Sequence, residues 1–350
     1  MDIGAKLDDL NCAELINAAL KNYGGLIGGR GTYNVDNITL PSGSVFVMNG
    51  RHATVFKQVA GSNGPIVSSE GDAASFLTVG AFTLDGNKGG QASNNQGMVL
   101  NNNGSGLRHR SLSHPYNLQD PRNLIFEIFI LNTKGSGLCQ YGKGASSFRD
   151  LWVYDADGHG VEISGFDNDW NSIDVGSAGL SGFYLGAGAA NNRISNIKAW
   201  YCGRLNSSEF GQGIYMDHAF RNQISNVEIQ NCNGSESIYL KSGGYNQLLN
   251  FNIEGPTFGN PAPMFDGLVL EDQSFGIYSG IISDRFPDVA KTLRNGIVVR
   301  RRAAGCQGLN VNVLVSNFAG QEIVFGVEQK TKPGRFFVNG DDVPFPSLKG

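Results

Sequence analysis

Residues 194–254 decide the fold, because one seven-residue pattern recurs there. Its copies read Ile194-Ser195-Asn196-Ile197-Lys198-Ala199-Trp200, Ile224-Ser225-Asn226-Val227-Glu228-Ile229-Gln230 and Leu248-Leu249-Asn250-Phe251-Asn252-Ile253-Glu254, after an earlier copy at Phe148-Arg149-Asp150-Leu151-Trp152-Val153-Tyr154. The first, fourth and sixth positions are apolar, the fifth and seventh are mostly polar or aromatic, and the third is Asn or Asp. Each copy predicts one strand with alternating faces, and a return at intervals of about 20–50 residues indicates a solenoid.

A second apolar strand follows each heptad. Its copies are Gly160-Val161-Glu162-Ile163, Gly182-Phe183-Tyr184-Leu185, Gly213-Ile214-Tyr215-Met216, Ser237-Ile238-Tyr239-Leu240, Gly267-Leu268-Val269-Leu270 and Gly296-Ile297-Val298-Val299. Two strands in each repeat predict an all-β chain folded as a parallel β-helix, in which successive turns stack on one another.

The composition agrees with this fold and narrows the function classes. The chain has 350 residues, and its 49 glycines are about twice the ordinary share of roughly 7 per cent. Gly and Asn tolerate the left-handed backbone angles that frequent corners require. The net charge is −4, and the basic run Arg300–Arg302 fits a solvated corner. Nucleic acid is therefore not an expected partner.

No signal peptide and no apolar run long enough for membrane insertion are evident in the sequence. The five cysteines are odd in number and lack paired spacing, which argues against a disulfide framework or a zinc site. Cys202 and Cys232 hold the same place in consecutive repeats, so we expect them to stack in the interior. Synthesis in a reducing cytoplasm, with no metal or cofactor, fits this pattern best.

The chain divides into a capping segment (1–32), a parallel β-helix (33–326) and an extended tail (327–350). A helix capped by Asn11, with Glu14 three residues later, ends at Gly24-Gly25 and covers the open end of the solenoid. Early strands are expected near Ser44–Met48, Ala53–Phe56, Phe76–Leu84 and Leu124–Leu131. Polar loops are expected at Gln91–His114, Gly203–Gly211 and Gly255–Phe265.

The N-terminal run Asp2-Ile3-Gly4-Ala5-Lys6-Leu7-Asp8-Asp9 resembles the opening of pectate-lyase-like proteins. Leu40-Pro41-Ser42-Gly43 and Leu84-Asp85-Gly86-Asn87 resemble the early repeats of that superfamily. The resemblance implies a right-handed parallel β-helix. Within the superfamily, the Asn, Gly and Ser richness, the short tail and the lack of a signal peptide make bacteriophage tailspikes the most similar group.

A tailspike likeness implies a homotrimeric protein of the virion tail, made in the host cytoplasm and attached to other tail proteins. It also implies a protein that binds, and often cleaves, bacterial surface polysaccharide such as capsule or O-antigen. No large head-binding domain is evident, so the sequence fits a fragment or a short spike bound through an adaptor.

Stacking turns heptad positions into surface columns with neighbours about 4.8 Å apart. The fifth position gives Trp152, Lys198, Glu228 and Asn252, and the seventh gives Tyr154, Trp200, Gln230 and Glu254, with one repeat after Tyr154 left unaligned. Extending the pattern over Tyr278–Asp284 places Asp284 next to Glu254. The backbones of Glu228 and Glu254 are then on the order of 8 Å apart.

Paired carboxylates next to aromatic side chains are typical of glycoside hydrolysis. Carboxyl groups about 6.5–9.5 Å apart leave room for a water and predict inversion. We therefore expect Glu228, Glu254 and Asp284 to form the acid/base set. Flat aromatic faces bind sugars, so Trp152, Tyr154 and Trp200, together with Lys198, are the candidate substrate-binding residues.

Four other interpretations stay open at this point. The carboxylates also fit ordinary solvated positions, the chain also fits a polysaccharide lyase in which Lys198 or a Tyr abstracts a proton, and it also fits a non-catalytic receptor-binding spike. A Ser-His-Asp esterase is a further alternative, although no Gly-x-Ser-x-Gly elbow is present.

The second strands add two outward columns. The first contains Tyr184, Tyr215, Tyr239, Val269 and Val298 and favours a subunit interface over a sugar platform. The second alternates in charge through Asp217, Lys241, Glu271 and Arg300 and favours a structural ladder. The turn Asp155–His159 has acids beside a histidine, and its Asp and Gly content favours a tight turn over a catalytic or calcium site.

Overall fold

The computed structural model describes residues 11–62, 64–71, 75–102, 123–142, 145–255, 264–284, 292–326 and 333–345. The elements are α1 (Ala13–Tyr23), β1 (Gly25–Ile27), β2 (Gly31–Val35), β3 (Ile38–Leu40), β4 (Val45–Val47), β5 (Thr54–Gln58), β6 (Val67–Ser69), β7 (Thr78–Asp85), a short 3-10 helix (Lys88–Gly90), β8 (Met98–Asn102), β9 (Leu124–Leu131), β10 (Leu138–Gly142), β11 (Ser147–Tyr154), β12 (Val161–Gly165), β13 (Asp169–Gly176), β14 (Phe183–Leu185), β15 (Arg193–Trp200), β16 (Ile214–Phe220), β17 (Gln223–Gln230), β18 (Glu236–Gly244), β19 (Gln247–Glu254), β20 (Phe265–Ser274), β21 (Ile277–Ser283), β22 (Leu293–Arg300), β23 (Leu309–Ser316), β24 (Ile323–Phe325), β25 (Gly334–Val338) and β26 (Asp341–Asp342).

The chain forms two compact units, Met1–Asp174 and Val175–Gly350, with the boundary inside β13. In the first unit, sheet A contains β1, β4, β7, β9, β11 and β13 in that order, with β2 and β5 beside it. Sheet B of this unit contains β3, β6, β8, β10 and β12. From β6 onward, strands of sheet B and sheet A alternate along the chain. Neighbouring strands within each sheet pair in parallel.

In the second unit, sheet A contains β15, β17, β19, β21, β23 and β25, and sheet B contains β14, β16, β18, β20, β22 and β24. The register pairs Ile194 with Ile224 and Ile224 with Leu248, so the heptads stack position on position. The predicted parallel β-helix is therefore confirmed.

The apolar heptad positions form the interior. Ile224, Val227 and Ile229 are between 0 and 3% exposed, and the other heptads repeat this burial. Burying one such side chain contributes about 1.5–3 kcal/mol, which is the main term that holds the strands together.

The backbone conformation explains why Asn or Asp occupies the third heptad position, which the pattern alone did not explain. Asp150, Asn196, Asn226 and Asn250 all have left-handed φ, between 54 and 55°. Asn and Asp are the non-glycine residues that adopt this conformation most readily. The exposed amides also bond along the stack, Asn226 Nδ2 donating to Asn196 Oδ1 at 2.9 Å and Asn250 Nδ2 to Asn226 Oδ1 at 2.8 Å.

The expected N-terminal helix is present as α1. Cys12 is the N-cap residue, and Asn11 Oδ1 accepts a hydrogen bond from the Ala13 N–H at 3.0 Å, so the side-chain cap comes from one residue earlier. Gly24 ends the helix with a left-handed φ of 68°. Asn17 then accepts a bond from the Thr39 N–H at 2.8 Å, which fastens the helix to β3.

The solenoid extends farther at both ends than the sequence predicts. β1 begins at Gly25, within the proposed capping segment, and pairs in parallel with β4. Gly334–Val338, placed in the extended tail, forms β25 and pairs in parallel with β23, and the short β26 folds back on it. Phe336 and Val338 are buried, so this last strand still contributes apolar side chains to the core. The expected loop at Gln91–His114 contains the strand β8 (Met98–Asn102), which corrects that prediction, and the rest of it from residue 103 lies outside the described residues, as does most of Gly255–Phe265.

All five cysteines are buried and free, as expected for Cys202 and Cys232. A hydrogen bond from Cys202 and burial together raise the pKa of Cys232 well above its ordinary value. Among the residues that the structure describes, no helix has the length and apolar character needed to cross a bilayer.

Candidate functional site

The heptad strands of the second unit bring the central candidates together on the outer face of sheet A. The register aligns Lys198, Glu228 and Asn252 in one column on β15, β17 and β19. Gln230 and Glu254 lie in the next column, two residues farther along the strands. Alternation turns all five side chains away from the core, and all are half-buried.

These five side chains, which we call the carboxylate cluster, share a hydrogen-bond network. Lys198 Nζ donates to Glu228 Oε1 at 3.2 Å. Gln230 Nε2 donates both to Glu228 Oε1 at 2.6 Å and to Glu254 Oε2 at 3.0 Å. Asn252 Nδ2 donates to Glu254 Oε1 at 3.4 Å. The Gln230 amide therefore joins the two carboxylates, a role that the sequence analysis did not assign to it.

The spacing of the two carboxylates differs from the expectation. Since bonds of 2.6 and 3.0 Å share one nitrogen, the two bonded oxygens are no more than about 5.6 Å apart. Inverting glycosidases hold their carboxyl groups about 6.5–9.5 Å apart and retaining ones about 5–5.5 Å apart. These two oxygens are thus closer together than the inverting range, so this geometry does not support the expectation of inversion.

The cluster is open to solvent on one side. The side chain of Lys198 is 33% exposed and that of Glu228 is 40% exposed, so a ligand can reach both. Trp200 precedes Gln230 in its column, and its ring lies 5.4 Å from that of Tyr201 in an edge-on arrangement. Tyr201 follows the heptad at a left-handed φ of 53° and is 38% exposed, which places a second aromatic ring beside the predicted one.

Asp284 does not lie next to Glu254. A register shift between Leu249 and Phe251 pairs Glu254 with Ser283, so Asp284 follows the paired strand. Its side chain is 5% exposed, and its Oδ2 accepts bonds from the Thr292 N–H at 2.6 Å and the Thr292 hydroxyl at 3.0 Å. These contacts favour a structural role for Asp284 in tying two backbone segments together.

Trp152 and Tyr154 belong to the first unit, on β11, and each is 41% exposed. The Arg51 guanidinium lies 4.5 Å from the centre of the Trp152 ring, and Phe129 meets that ring edge-on at 6.0 Å. The repeat that follows, which the sequence left unaligned, is β13.

The polar turn Asp155–His159 is tied into the first unit. Lys88 Nζ lies 2.6 Å from Asp155 and 3.4 Å from Asp157, and Lys134 Nζ lies 3.4 Å from Asp157. His159 is 7% exposed. These ion pairs and this burial agree with the favoured reading of a structural turn.

The tyrosine column on sheet B of the second unit is not open, which corrects the expectation of a subunit interface. Tyr215, Tyr239 and Val269 are 1%, 8% and 0% exposed. The two tyrosine rings stack at 5.2 Å, and Phe210 from the excursion Gly203–Gly211 packs against Tyr215 at 5.4 Å. The chain itself therefore covers the middle of this column, while Tyr184 and Val298 at its ends are half-buried.

The alternating charges beside that column form the predicted ladder. Arg300 Nε lies 2.7 Å from Glu271 Oε2, and Lys241 Nζ lies 3.4 Å from Asp217 Oδ2. Arg300 is therefore paired, whereas Arg301 and Arg302 are exposed as a solvated corner requires. Within the described ranges, no group of three or more metal-ligating side chains is present.

No protein-family profile matches the chain, and no curated protein matches it either. Solved structures do match. The enzymatically active domain of tailspike protein 2 from bacteriophage CBA120 superimposes with a TM-score of 0.75 at 18% identity, covering 96% of this chain and 50% of that chain. The gp42 tailspike of Acinetobacter phage vb_AbaP_AS12 gives a TM-score of 0.63 at 12% identity, covering 99% of this chain and 64% of that one.

A third similar structure is the A-module of the mannuronan C-5 epimerase AlgE4 from Azotobacter vinelandii. It gives a TM-score of 0.65 at 16% identity and covers 97% of this chain and 99% of the module. The chain thus spans nearly the whole epimerase module but half to two thirds of the two tailspike chains. At these identities the likeness concerns the fold, and the chain has the parallel β-helix that these phage tailspikes share with the epimerase module.

Proposed function

We propose that this chain is a phage tailspike-type protein that binds bacterial surface polysaccharide and hydrolyses it at the carboxylate cluster. The proposal rests on Glu228 and Glu254, two half-buried carboxylates on neighbouring turns. Both accept a hydrogen bond from the Gln230 amide, and aromatic rings lie beside them. Fold likeness to a tailspike domain described as enzymatically active supports the same class.

The short carboxylate separation favours a retaining reaction. Glu228 forms the ion pair with Lys198, which suits a nucleophile that works as a carboxylate. In this scheme Glu228 attacks the anomeric carbon while Glu254 in its acid form protonates the departing glycosidic oxygen. Glu254 then takes a proton from water, and that water releases the sugar from Glu228 with its configuration retained.

Substrate binding follows from the surrounding side chains. Trp200 and Tyr201 offer aromatic surface beside the cluster, and Lys198 offers a hydrogen-bond donor for sugar oxygens. In the first unit, the exposed rings of Trp152 and Tyr154 form a further proposed platform for the glycan.

The geometry disfavours a lyase that uses Lys198 as its base. The Lys198 ammonium donates a hydrogen bond to Glu228 and forms an ion pair with it. A lyase base has to be free to reach the proton next to the uronate carboxylate, whereas the Lys198 nitrogen is engaged with Glu228.

A non-catalytic receptor-binding spike is the second candidate, and the Gln230 amide favours it. This amide occupies the space between the two carboxylates and satisfies one oxygen of each. A sugar could then bind at the rim of the cluster without being cleaved.

A homotrimer in the virion tail, attached to other tail proteins, completes the proposal. Light scattering of the purified protein tests the assembly, with a mass of three times the 37.5 kDa chain expected and a mass of 37.5 kDa contradicting it.

The test of function is a panel of capsular and O-antigen polysaccharides incubated with the protein. Hydrolysis predicts shorter chains without new ultraviolet absorbance, and proton NMR of the first products should show the parent anomeric configuration. Products with a new C=C absorbance would establish a lyase, and binding without shortening would establish a receptor-binding spike. Either result would overturn the proposed hydrolysis.

A further inference from the structure

The outer face of sheet B in the second unit carries a second group of reactive side chains. Strands β16 and β18 pair in parallel, with Asp217 opposite Lys241 and Ala219 opposite Gly243. The residues between these pairs, His218 on β16 and Ser242 on β18, therefore lie level with each other. Neighbouring strands place their backbones about 4.8 Å apart.

His218 is oriented by the residue before it. Its Nδ1 lies 2.5 Å from Asp217 Oδ1, and its side chain is 61% exposed. A carboxylate at Nδ1 places the ring proton on that nitrogen, so Nε2 is left as a basic atom. Because most of the ring is exposed, a substrate can reach it.

The Asp217 carboxylate is itself held from the other side. Lys241 Nζ lies 3.4 Å from Asp217 Oδ2 and also donates to the Tyr215 hydroxyl at 3.0 Å. Burial alone lowers the pKa of Lys241, but the Asp217 and Glu209 carboxylates outweigh burial and raise it above its ordinary value. Lys241 is thus a charged positioning residue that keeps Asp217 Oδ1 turned toward His218.

Ser242 has the backbone conformation of its neighbour on β16. His218 and Ser242 have φ of 55 and 59°, so both interrupt the alternation of their strands at the same level. Equal conformations on parallel strands direct the two side chains the same way. Ser242 is half-buried, and its hydroxyl forms no hydrogen bond with any residue that the structure describes, which leaves it free to rotate toward His218.

We propose that Ser242, His218 and Asp217 form a nucleophile, base and orienting acid that hydrolyse carboxylic esters. The substrate class that fits is an O-acylated glycan. This choice of substrate rests on the proposed function, whereas the ester chemistry does not. A hydroxyl, an imidazole and a carboxylate in this relation are the parts that acyl transfer requires, and their order in the chain is not restricted.

The reaction balances with water as the second reactant. Ser242 Oγ bonds to the ester carbonyl carbon while His218 Nε2 takes the hydroxyl proton. The bond from that carbon to the sugar oxygen breaks, and the sugar oxygen receives the proton from His218. Water, deprotonated by His218, then attacks the acyl-serine and releases a carboxylic acid and the free Ser242 hydroxyl.

The test treats the full chain with a fluorophosphonate probe and locates the adduct by peptide mass spectrometry, alongside hydrolysis of p-nitrophenyl acetate. We expect an adduct on Ser242, and we expect Ser242→Ala and His218→Gln each to lower ester hydrolysis by about 10²-fold or more. Ser242→Gly checks folding, since glycine suits the positive φ, and it should lose the adduct while keeping the parent thermal midpoint. Ser177, at a φ of 53°, gives the matched control Ser177→Ala, which should keep both adduct and hydrolysis.

Absence of the adduct from Ser242, or parent ester hydrolysis in Ser242→Ala, would overturn the triad. Polysaccharide chain length is measured in parallel, so the two proposals can fail separately. An adduct on Ser242 with glycan length unchanged supports the triad and refutes the depolymerase, whereas shortened glycan without an adduct refutes the triad alone.

Discussion

At the scale of single residues, the left-handed third position of each heptad links sequence to backbone most directly. Asn226 adopts a φ of 55° and bonds to both its neighbours in the exposed asparagine ladder. An L-residue in this conformation costs roughly 1–2 kcal/mol unless it is Gly, Asn or Asp. The left-handed backbone thus accounts for Asn at this position without a binding site, and Ala81 and Glu127 adopt the same conformation at the equivalent positions of β7 and β9.

We predict that Asn226→Val lowers the free energy of unfolding by about 1–2 kcal/mol, because a β-branched residue fits the left-handed region poorly. Asn226→Gly is the control and should stay within about 0.5 kcal/mol of the parent, since glycine adopts the same φ freely. Urea denaturation measures both. Equal destabilisation by the two substitutions would show that the side-chain bonds, and not φ, select Asn.

The Asp272 carboxylate stabilises the surface corner at residues 302–305 by accepting hydrogen bonds from backbone N–H groups. Its Oδ1 accepts bonds from the N–H groups of Arg302 at 3.0 Å and Gly305 at 2.6 Å, and its Oδ2 accepts one from Ala303 at 2.6 Å. Burial tends to raise the pKa of Asp272, but these backbone bonds outweigh it and lower the pKa below the ordinary 3.8. The carboxylate form is thus the one that stabilises the fold.

A lowered pKa stabilises the folded state at pH values above the ordinary one, and the effect is lost as pH falls through the folded value. We predict that Asp272→Gly, which keeps the left-handed φ of 49° without strain, destabilises the protein by about 1 kcal/mol at pH 7, comparable to loss of a helix cap, and that this difference shrinks below pH of about 4. Urea denaturation at pH 7, 5 and 3 measures it. A difference that stays constant down to pH 3 would contradict the assignment.

At the scale of elements, a buried asparagine ladder connects the starts of successive sheet A strands in the second unit. Asn222 is 0% exposed, and its Oδ1 accepts bonds from the Asn192 N–H at 3.1 Å and the Asn192 amide at 2.9 Å. Asn246 Oδ1 accepts the equivalent bonds from Asn222 at 3.1 and 3.2 Å. The ladder satisfies backbone N–H groups that the strands themselves leave unpaired.

We predict that Asn222→Ala lowers the free energy of unfolding by about 1–3 kcal/mol, because it removes the acceptor of the buried Asn192 N–H. Asn310→Ala, at an exposed position of β23, is the matched control and should change stability by less than about 0.5 kcal/mol. Thermal and urea denaturation measure both variants. Similar small effects for the two would mean that water replaces the ladder.

The heptad also explains how far the elements could be predicted from sequence. Spacing located β9, β15, β17 and β19 closely, because burial of alternate positions and strand formation have the same cause. The predicted register of β21 was wrong by one residue. The shift near Leu249 and Phe251 does not change the pattern of apolar residues, so the sequence does not reveal it. Asp284 was misplaced for this reason.

At the scale of the whole molecule, stacking predicted which residues become neighbours but not how their side chains meet. Glu228 and Glu254 were expected as diagonal neighbours, and they are. The Gln230 amide that joins them, and the resulting short separation, depend on rotamers that periodicity does not specify. The tyrosine column was expected to be open because the contact of Phe210 comes from an excursion outside the repeat.

The depolymerisation rates of Glu228→Gln and Glu254→Gln, measured on a polysaccharide that the parent protein shortens, test the central claim most directly. Loss of a nucleophile or of a general acid predicts rates about 10²–10⁴-fold lower for each variant, with far-ultraviolet circular dichroism unchanged. Glu70→Gln makes the same charge change at an exposed position of the first unit and should keep the parent rate. Parent rates in Glu228→Gln and Glu254→Gln would contradict the claim that this carboxylate pair performs the hydrolysis.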